Sequence, residues 1–168
     1  GCPHLGTYWS LKEVLKKIKG VHIVNGDIGC YEQGGYGVFS HIINPTDDNS
    51  KSYPISSPYE TLDTIYVMGS GIGIAMGQSQ AGYKDGKILA VAGDSTFFHA
   101  TLPAVANAVY TNADITFIVL DNSWTCMTGH QPNPTTGKST TGENAPIIEI
   151  SEVARSIGIR DIHISDSY

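Results

Sequence analysis

Two short apolar runs bracket an amphipathic stretch in the middle of the chain. Ile88-Leu89-Ala90-Val91-Ala92 breaks at Gly93-Asp94-Ser95, and the run Ile115 to Leu120 breaks at Asp121-Asn122. Between them Phe97, Phe98, Leu102, Val105, Ala106, Val109 and Tyr110 recur at helical spacing. Short apolar runs with β-branched residues read as buried parallel strands, and the gap between these two fits one crossover helix. The pattern predicts a βαβ unit with polar residues at the C-terminal end of each strand. In open parallel sheets that edge is where ligands bind.

The rest of the chain is punctuated by glycine and proline. Ser10 is placed to cap a helix carrying Leu11, Val14, Leu15 and Ile18, with Glu13 completing a capping box and Gly20 ending it. Val21 to Val24 predicts a first strand, stopping at Asn25-Gly26-Asp27-Ile28-Gly29-Cys30. Residues 31–59, with Gly34-Gly35, Pro45, Asp47-Asp48, Pro54 and Pro58, predict a long loop of the functional or mobile kind. Thr64 to Met68 predicts a second strand. Gly69-Ser70-Gly71-Ile72-Gly73 then opens a small-residue helix running to Gly82, suited to tight packing on another helix, such as one of a second subunit. This is no dinucleotide fingerprint, because the acidic residue expected ~20 positions on would coincide with the Gly93-Asp94 turn. Ser123 to Pro146 is a second long loop. Glu149 to Ile157 predicts a short helix capped by Ser151 and stopped by Gly158, and Ile159 to Ile164 a last strand. The expected fold is a single α/β domain over residues 1–168, with a mostly parallel five-stranded sheet sandwiched between helices.

Composition narrows the function classes. The 168 residues make about one domain. A net charge of −6 and a pI near 5.4 weigh against nucleic acid or an anionic membrane surface as the main partner. No apolar run approaches the ~20 residues of a membrane span, and no signal peptide is evident. Cys2, Cys30 and Cys126 are an odd number without repeated spacing, which argues against a disulfide framework. A cytoplasmic enzyme, or a piece of one, is expected.

The strand ends point to a metal. Asp94 offers a carboxylate and Asn122 an amide oxygen, the hard donors that Mg²⁺ and Ca²⁺ prefer. Adjacent strands lie ~5 Å apart, so equivalent ends can share one ion. Gly93 permits a close backbone approach, and Ser95 and Thr96 sit at a helix start, where free N–H groups favour phosphate. His99 and His130 follow the same edge and are candidates for proton transfer. His4, His22, His41 and His163 read as strand and loop histidines, and Glu32, Glu60 and Glu143 as solvated loop carboxylates.

The Gly93-Asp94-Ser95 opening with Asp121-Asn122 a βαβ length later resembles the signature of thiamine diphosphate enzymes. That resemblance implies that Asp94, the Asn122 side chain and the Trp124 backbone carbonyl bind Mg²⁺. Gly93, Ser95 and Thr96 would assist at the diphosphate, and Thr128 would join the cofactor-binding set. Nearly the whole chain is similar to 2-oxoacid:ferredoxin oxidoreductases of the indolepyruvate branch. Gly26-Asp27-Ile28-Gly29-Cys30, Met68-Gly69-Ser70-Gly71-Ile72-Gly73, Gly93-Asp94-Ser95-Thr96-Phe97-Phe98-His99 and Met127-Thr128-Gly129-His130-Gln131-Pro132 occur there in this order. The opening Gly1-Cys2-Pro3-His4 is similar to that branch's Cys-x-Gly-Cys-Pro-His, so the chain would begin one residue after the motif's first cysteine.

The resemblance implies oxidative decarboxylation of a 2-oxoacid, with electrons passed singly to iron–sulfur clusters and on to ferredoxin, and the acyl group to coenzyme A. The cofactor supplies this chemistry and the protein supplies position and electrostatics. Ile72 would prop the cofactor in its bent form, and the backbone near Ser70 would accept a hydrogen bond from the aminopyrimidine, with Gly69 and Gly71 beside it. The activating glutamate belongs to a second, pyrimidine domain that 168 residues cannot also hold. A ferredoxin-like cysteine run is likewise missing. Three thiols fall short of the four a cluster normally needs, so clusters are expected on other domains or subunits. The chain is thus expected to be a fragment or subunit, inactive alone and working within a homo-oligomer. Two alternatives share its motif: a non-oxidative 2-oxoacid decarboxylase of the sulfopyruvate or phosphonopyruvate type, and a non-catalytic cofactor-binding module.

Overall fold

The computed structural model describes residues 3–35 and 61–166, with side chains described outside 33–35. Most of the long loop predicted over 31–59 lies outside the described residues, as do Cys2, His41 and Glu60.

The sheet is parallel, in the order β1 (Ile23–Asn25), β2 (Ile88–Gly93), β3 (Thr116–Leu120). β2 is central and every residue of it is buried. Its alternation sorts the core into two. Leu89 and Val91 face a cluster with Tyr8, Val24, Tyr31, Leu62 and Leu120, while Ile88 and Ala90 face one with Ile72, Ala75, Phe97 and Val105. Side chains that alternate along a strand must find cover on both sides of the sheet. Helix α1 (Pro3–Leu15) covers the first face through Tyr8, Leu11 and Leu15. Helices α2 (Ser70–Gln80), α4 (Leu102–Tyr110) and α5 (Ile150–Ile157) cover the second. This is the expected α/β sandwich.

The crossover from β2 to β3 is helical but not uniform. A single turn, α3 (Asp94–Thr96), runs into a π-helical stretch, Phe97–Thr101, before α4 begins. Pro103 sits at the start of α4. A proline ring clashes with the carbonyl four residues earlier, here that of His99, and lacks an N–H to donate. Widening the preceding turn relieves both problems, and such bulges recur at functional sites.

Several boundaries differ from expectation, each for a tertiary reason. Helix α1 begins at Pro3, where a missing N–H costs nothing, so Ser10 lies inside the helix and caps nothing. Glu13 bonds Lys16 Nζ at 2.7 Å instead of closing a capping box. The stripe that holds this part of the helix is His4 and Tyr8, four apart, with the Tyr8 hydroxyl donating to the Tyr31 carbonyl. The helix stops at Leu15, short of Ile18. β1 starts two residues late, leaving Val21 exposed. Of the predicted strand Thr64–Met68 only Thr64 pairs, in an isolated bridge to Asn25, the last residue of β1. With no further partner among the described residues, Tyr66 and Val67 are exposed. The predicted strand Ile159–Ile164 joins no ladder among the described residues, and Ile164 is exposed. The described sheet therefore has three strands rather than five. α5 starts one residue before Ser151, with Glu149 at the cap position, and Gly158 (φ 112) closes it as expected.

Candidate functional site

Register brings the two polar strand ends together. Gly93 pairs with Leu120, so Asp94 and Asp121 leave the ends of neighbouring strands side by side. Asp94 is 3% exposed. Its Oδ1 accepts the Ser95 N–H at 2.7 Å, and its Oδ2 accepts the Thr135 hydroxyl at 3.3 Å. Burial raises the Asp94 pKa above the ordinary carboxylate range. The Asn133 amide and the Ser95 N–H oppose that rise, and neighbouring Asp121 adds to it. Two adjacent carboxylates, one of them buried, make a strongly cation-seeking edge.

Asn122 turns the chain out of β3. Its Oδ1 accepts the Trp124 N–H at 3.1 Å, and Ser123 adopts a left-handed φ of 61°. An amide oxygen has two lone pairs, so this bond leaves one for a cation. Cys126 lies close enough to Asp94 and Asn122 to feel both; burial first, then the Asp94 charge, raises its thiol pKa. Ser95 Oγ and Thr125 Oγ1 are hydrogen-bonded at 2.8 Å, tying the α3 turn to the loop after β3.

Asn133 and Thr135 were not legible as site residues. Asn133 Oδ1 accepts the Thr135 N–H at 2.8 Å and, at 2.7 Å, takes the nearer share of the one Thr135 hydroxyl proton that also faces Asp94. Asn133 Nδ2 is buried with no hydrogen-bond partner among the described residues, although the amide is near enough to favour the Asp94 charge. The Asn-Pro-Thr sequence lies far from Asp94 along the chain, and only the fold of the Ser123–Pro146 loop brings it there. A second polar atom that is buried and unpartnered among the described residues, Ser70 Oγ, sits at the first residue of α2.

The histidines occupy different places. His99 is exposed on the π-helical stretch and lines a cavity of about 230 Å³ with Asn133, Lys138 and Pro146 among others. His130 (φ 61°) is exposed, its ring 6.3 Å from that of Trp124. Thr128 is exposed and bonds within its own loop, to Gln131 Oε1 at 2.6 Å.

Beneath the edge lies a buried network around Asp27 and Tyr31. Asp27 is fully buried. Its Oδ2 accepts the Gly69 N–H at 2.9 Å, and its Oδ1 accepts the Tyr31 hydroxyl. Burial pushes the Asp27 pKa up to about 6, against the pull of Tyr31 and the Gly69 and Gly71 N–H groups. Burial and the Asp27 charge both push the Tyr31 pKa up. The Tyr31 hydroxyl also lies 2.9 Å from Thr96 Oγ1. Gly93 has an ordinary extended backbone (φ −81°, ψ 166°), so turning does not require a glycine there. The Tyr31 ring does, since a Cβ would stand 2.8 Å from it. At the α2 end, Gly69 has φ 82°, and a Cβ on Gly71 would meet the Asn25 carbonyl oxygen at 2.8 Å. Ile72 is 2% exposed and belongs to the core.

These residues suit a divalent cation with a diphosphate. The candidate donors are all hard oxygens, and among the described residues no three His, Cys, Asp or Glu side chains gather into a competing metal site. Orphaned donors at Asn133 and Ser70 leave hydrogen-bonding capacity unspent around the same edge.

The class follows from this edge together with sequence comparison. The pattern of the thiamine pyrophosphate enzyme C-terminal TPP-binding domain matches residues 48–167, and the chain belongs to that family. Within it, the chain is 34% identical over its whole length to the indolepyruvate oxidoreductase subunit IorA of Archaeoglobus fulgidus. Over 99% of its length it is 35% identical to the subunit of that name from Pyrococcus horikoshii and 37% to that from Pyrococcus abyssi. It spans only 23–24% of the length of these relatives. Among the described residues no helix is long and apolar enough to cross a membrane.

Proposed function

We propose that this chain is the diphosphate-side cofactor domain of a thiamine diphosphate- and Mg²⁺-dependent 2-oxoacid:ferredoxin oxidoreductase, acting on an indolepyruvate-like substrate. The observation that carries the reading is the juxtaposition of buried Asp94 with Asp121 and Asn122 at paired strand ends. In this reading Asp94, the Asn122 side chain and the Trp124 carbonyl hold the cation. Gly93, Ser95 and Thr96 face the diphosphate from a helix start. Gly69, Ser70 and Gly71 present α2's first turn to the other end of the cofactor, with Ile72 behind them in the core, and Thr128 approaches from the loop after β3. When bound, thiamine diphosphate supplies the carbanion chemistry of 2-oxoacid decarboxylation.

The chain's own residues bind, orient and exclude water. Asn133 and Thr135 cover Asp94, which removes it from competing solvent and strengthens its hold on a cation. His99 and His130 are assigned to proton transfer at the substrate in this reading. The activating glutamate, the iron–sulfur clusters and the ferredoxin contact are assigned to other domains or subunits of a cytoplasmic homo-oligomer, with coenzyme A as acyl acceptor. Alone, the domain would not turn over.

Calorimetric titration of thiamine diphosphate into the full-length protein, with and without Mg²⁺, tests the site. Binding that requires Mg²⁺ and disappears in Asp94→Ala supports it, and binding indifferent to both refutes it. Reduction of ferredoxin or a viologen dye during 2-oxoacid turnover supports the oxidoreductase, whereas aldehyde release without electron transfer indicates a non-oxidative decarboxylase. Cofactor binding without either reaction in the assembled protein indicates a non-catalytic module.

A further inference from the structure

Two separate pieces of chain are assigned to the two ends of the cofactor: the Gly69–Ile72 turn and the Gly93–Thr96 turn. Neither is long, and each belongs to a different helix. A ligand gripped at both ends binds well only if the grips keep a fixed separation, because any slack must be frozen out on binding.

One hydrogen-bond chain spans them. Gly69 N–H donates to Asp27 Oδ2 at 2.9 Å. Tyr31 O–H donates to Asp27 Oδ1. Thr96 Oγ1 lies 2.9 Å from the Tyr31 oxygen and, with that proton already given to Asp27, acts as its donor. The Tyr31 ring packs against two glycines that leave it room no other residue would. A Cβ at Gly29 would stand 2.2 Å from it and one at Gly93 2.8 Å. Asp27 is fully buried, and Thr96 is 2% exposed.

We propose that the Asp27–Tyr31–Thr96 chain is a positioning device that fixes the α2 turn at Gly69 against the α3 turn at Thr96, and so sets the span between the two grips on thiamine diphosphate. The proposal rests on the cofactor reading above and assigns Asp27 and Tyr31 a role that touches no substrate. Simple packing would not demand it, since an apolar pair could fill the same volume without a buried carboxylate.

The test compares two ligands on the full-length protein with Mg²⁺ present: thiamine diphosphate, which needs both grips, and inorganic diphosphate, which needs only the Asp94 side. Tyr31→Phe removes one hydroxyl and keeps the ring. It should weaken thiamine diphosphate by at least about tenfold, equivalent to ~1.4 kcal/mol, while leaving inorganic diphosphate within about threefold. Asp27→Leu should behave alike. Asp27→Asn should stay within about threefold for both ligands, because its Oδ1 can accept from Gly69 and its Nδ2 can donate to the Tyr31 oxygen. Should Asp27→Leu fail to fold, Tyr31→Phe decides. Equal weakening of both ligands would reduce the network to general stability and overturn the proposal, as would no change in either. Wild-type protein that binds neither ligand sinks the cofactor reading and this inference together. Wild-type binding with unaffected variants sinks this inference alone.

Discussion

Asp27 accepts the backbone N–H of Gly69 at 2.9 Å across 42 positions of sequence. This bond joins the end of β1 to the residue before α2 and brings the glycine-rich turn beside the edge defined by Asp94. Gly69 is irreplaceable there on two counts: its φ of 82° is left-handed, and a Cβ would sit 2.8 Å from that of Ala100. Gly69→Ala should cost about 1–2 kcal/mol from the backbone alone, before any clash is relieved. Urea unfolding with and without thiamine diphosphate would measure it, and a fully stable variant would contradict the geometry.

Asp27 also gives a pH signature. Its folded value of about 6 stands above the 3.8 of an unperturbed aspartate. Between those values the folded state keeps a proton that the unfolded chain has released. Stability from this group is therefore complete below the lower value and is lost as pH rises through about 6. At about 1.4 kcal/mol per unit, the loss is up to roughly 3 kcal/mol. Asp27→Asn cannot ionise, so it should match the wild type near pH 4 and exceed its stability at pH 8. Parallel denaturation curves would show the gap opening between them.

Asp94 should show binding and stability moving in opposite directions. Its burial beside Asp121 makes the ionised carboxylate costly in the absence of a cation. Asp94→Asn should leave the cofactor-free protein as stable as the wild type or more so. The same variant should lower Mg²⁺ affinity by at least about 10–100-fold, the loss typical even of residues that only support a metal ligand. Thermal unfolding and metal titration on one preparation would separate the two effects.

Asn133 should matter for the cover over Asp94. Asn133→Ala removes both acceptor bonds to Thr135, whose N–H is then left buried without its partner. A loss of about 1–3 kcal/mol is expected. Faster hydrogen exchange at the Thr135 amide would locate the loss in the loop, and unchanged exchange would contradict this account.

Val105 is 1% exposed in the core under β2. Val105→Ala removes two buried methyl groups and should cost roughly 1–3 kcal/mol. Chemical unfolding would check this, with cofactor affinity unchanged because Val105 lies outside the binding turns.

The sequence by itself determined the βαβ core and its polar edge. Ile88–Ala92 and Ile115–Leu120 are short apolar runs, rich in β-branched residues, of the length of strands in a covered sheet, and the structure pairs them in parallel. Asp94 and Asn122 stand out as candidates because Asp94 follows β2 directly and Asn122 is the second residue after β3. The glycine-rich α2 and the stop at Gly158 were legible too, because local backbone chemistry sets them. Tertiary structure decided what depends on distant partners. Thr64–Met68 and Ile159–Ile164 have strand-like composition, yet a strand exists only where another offers its hydrogen bonds, and β1 ends too soon to hold Tyr66 and Val67. Ser10 has cap chemistry, but Tyr8 and His4, buried by the fold, draw the helix back to Pro3. Asn133, Thr135 and Tyr31 carry no local signal, and Asp27 stands out only as part of the Gly26–Cys30 motif, with nothing there to show its partners. Their roles come from being brought against Asp94, Gly69 and Thr96 across long stretches of chain, and contacts of that kind are set by packing rather than by spacing along the sequence.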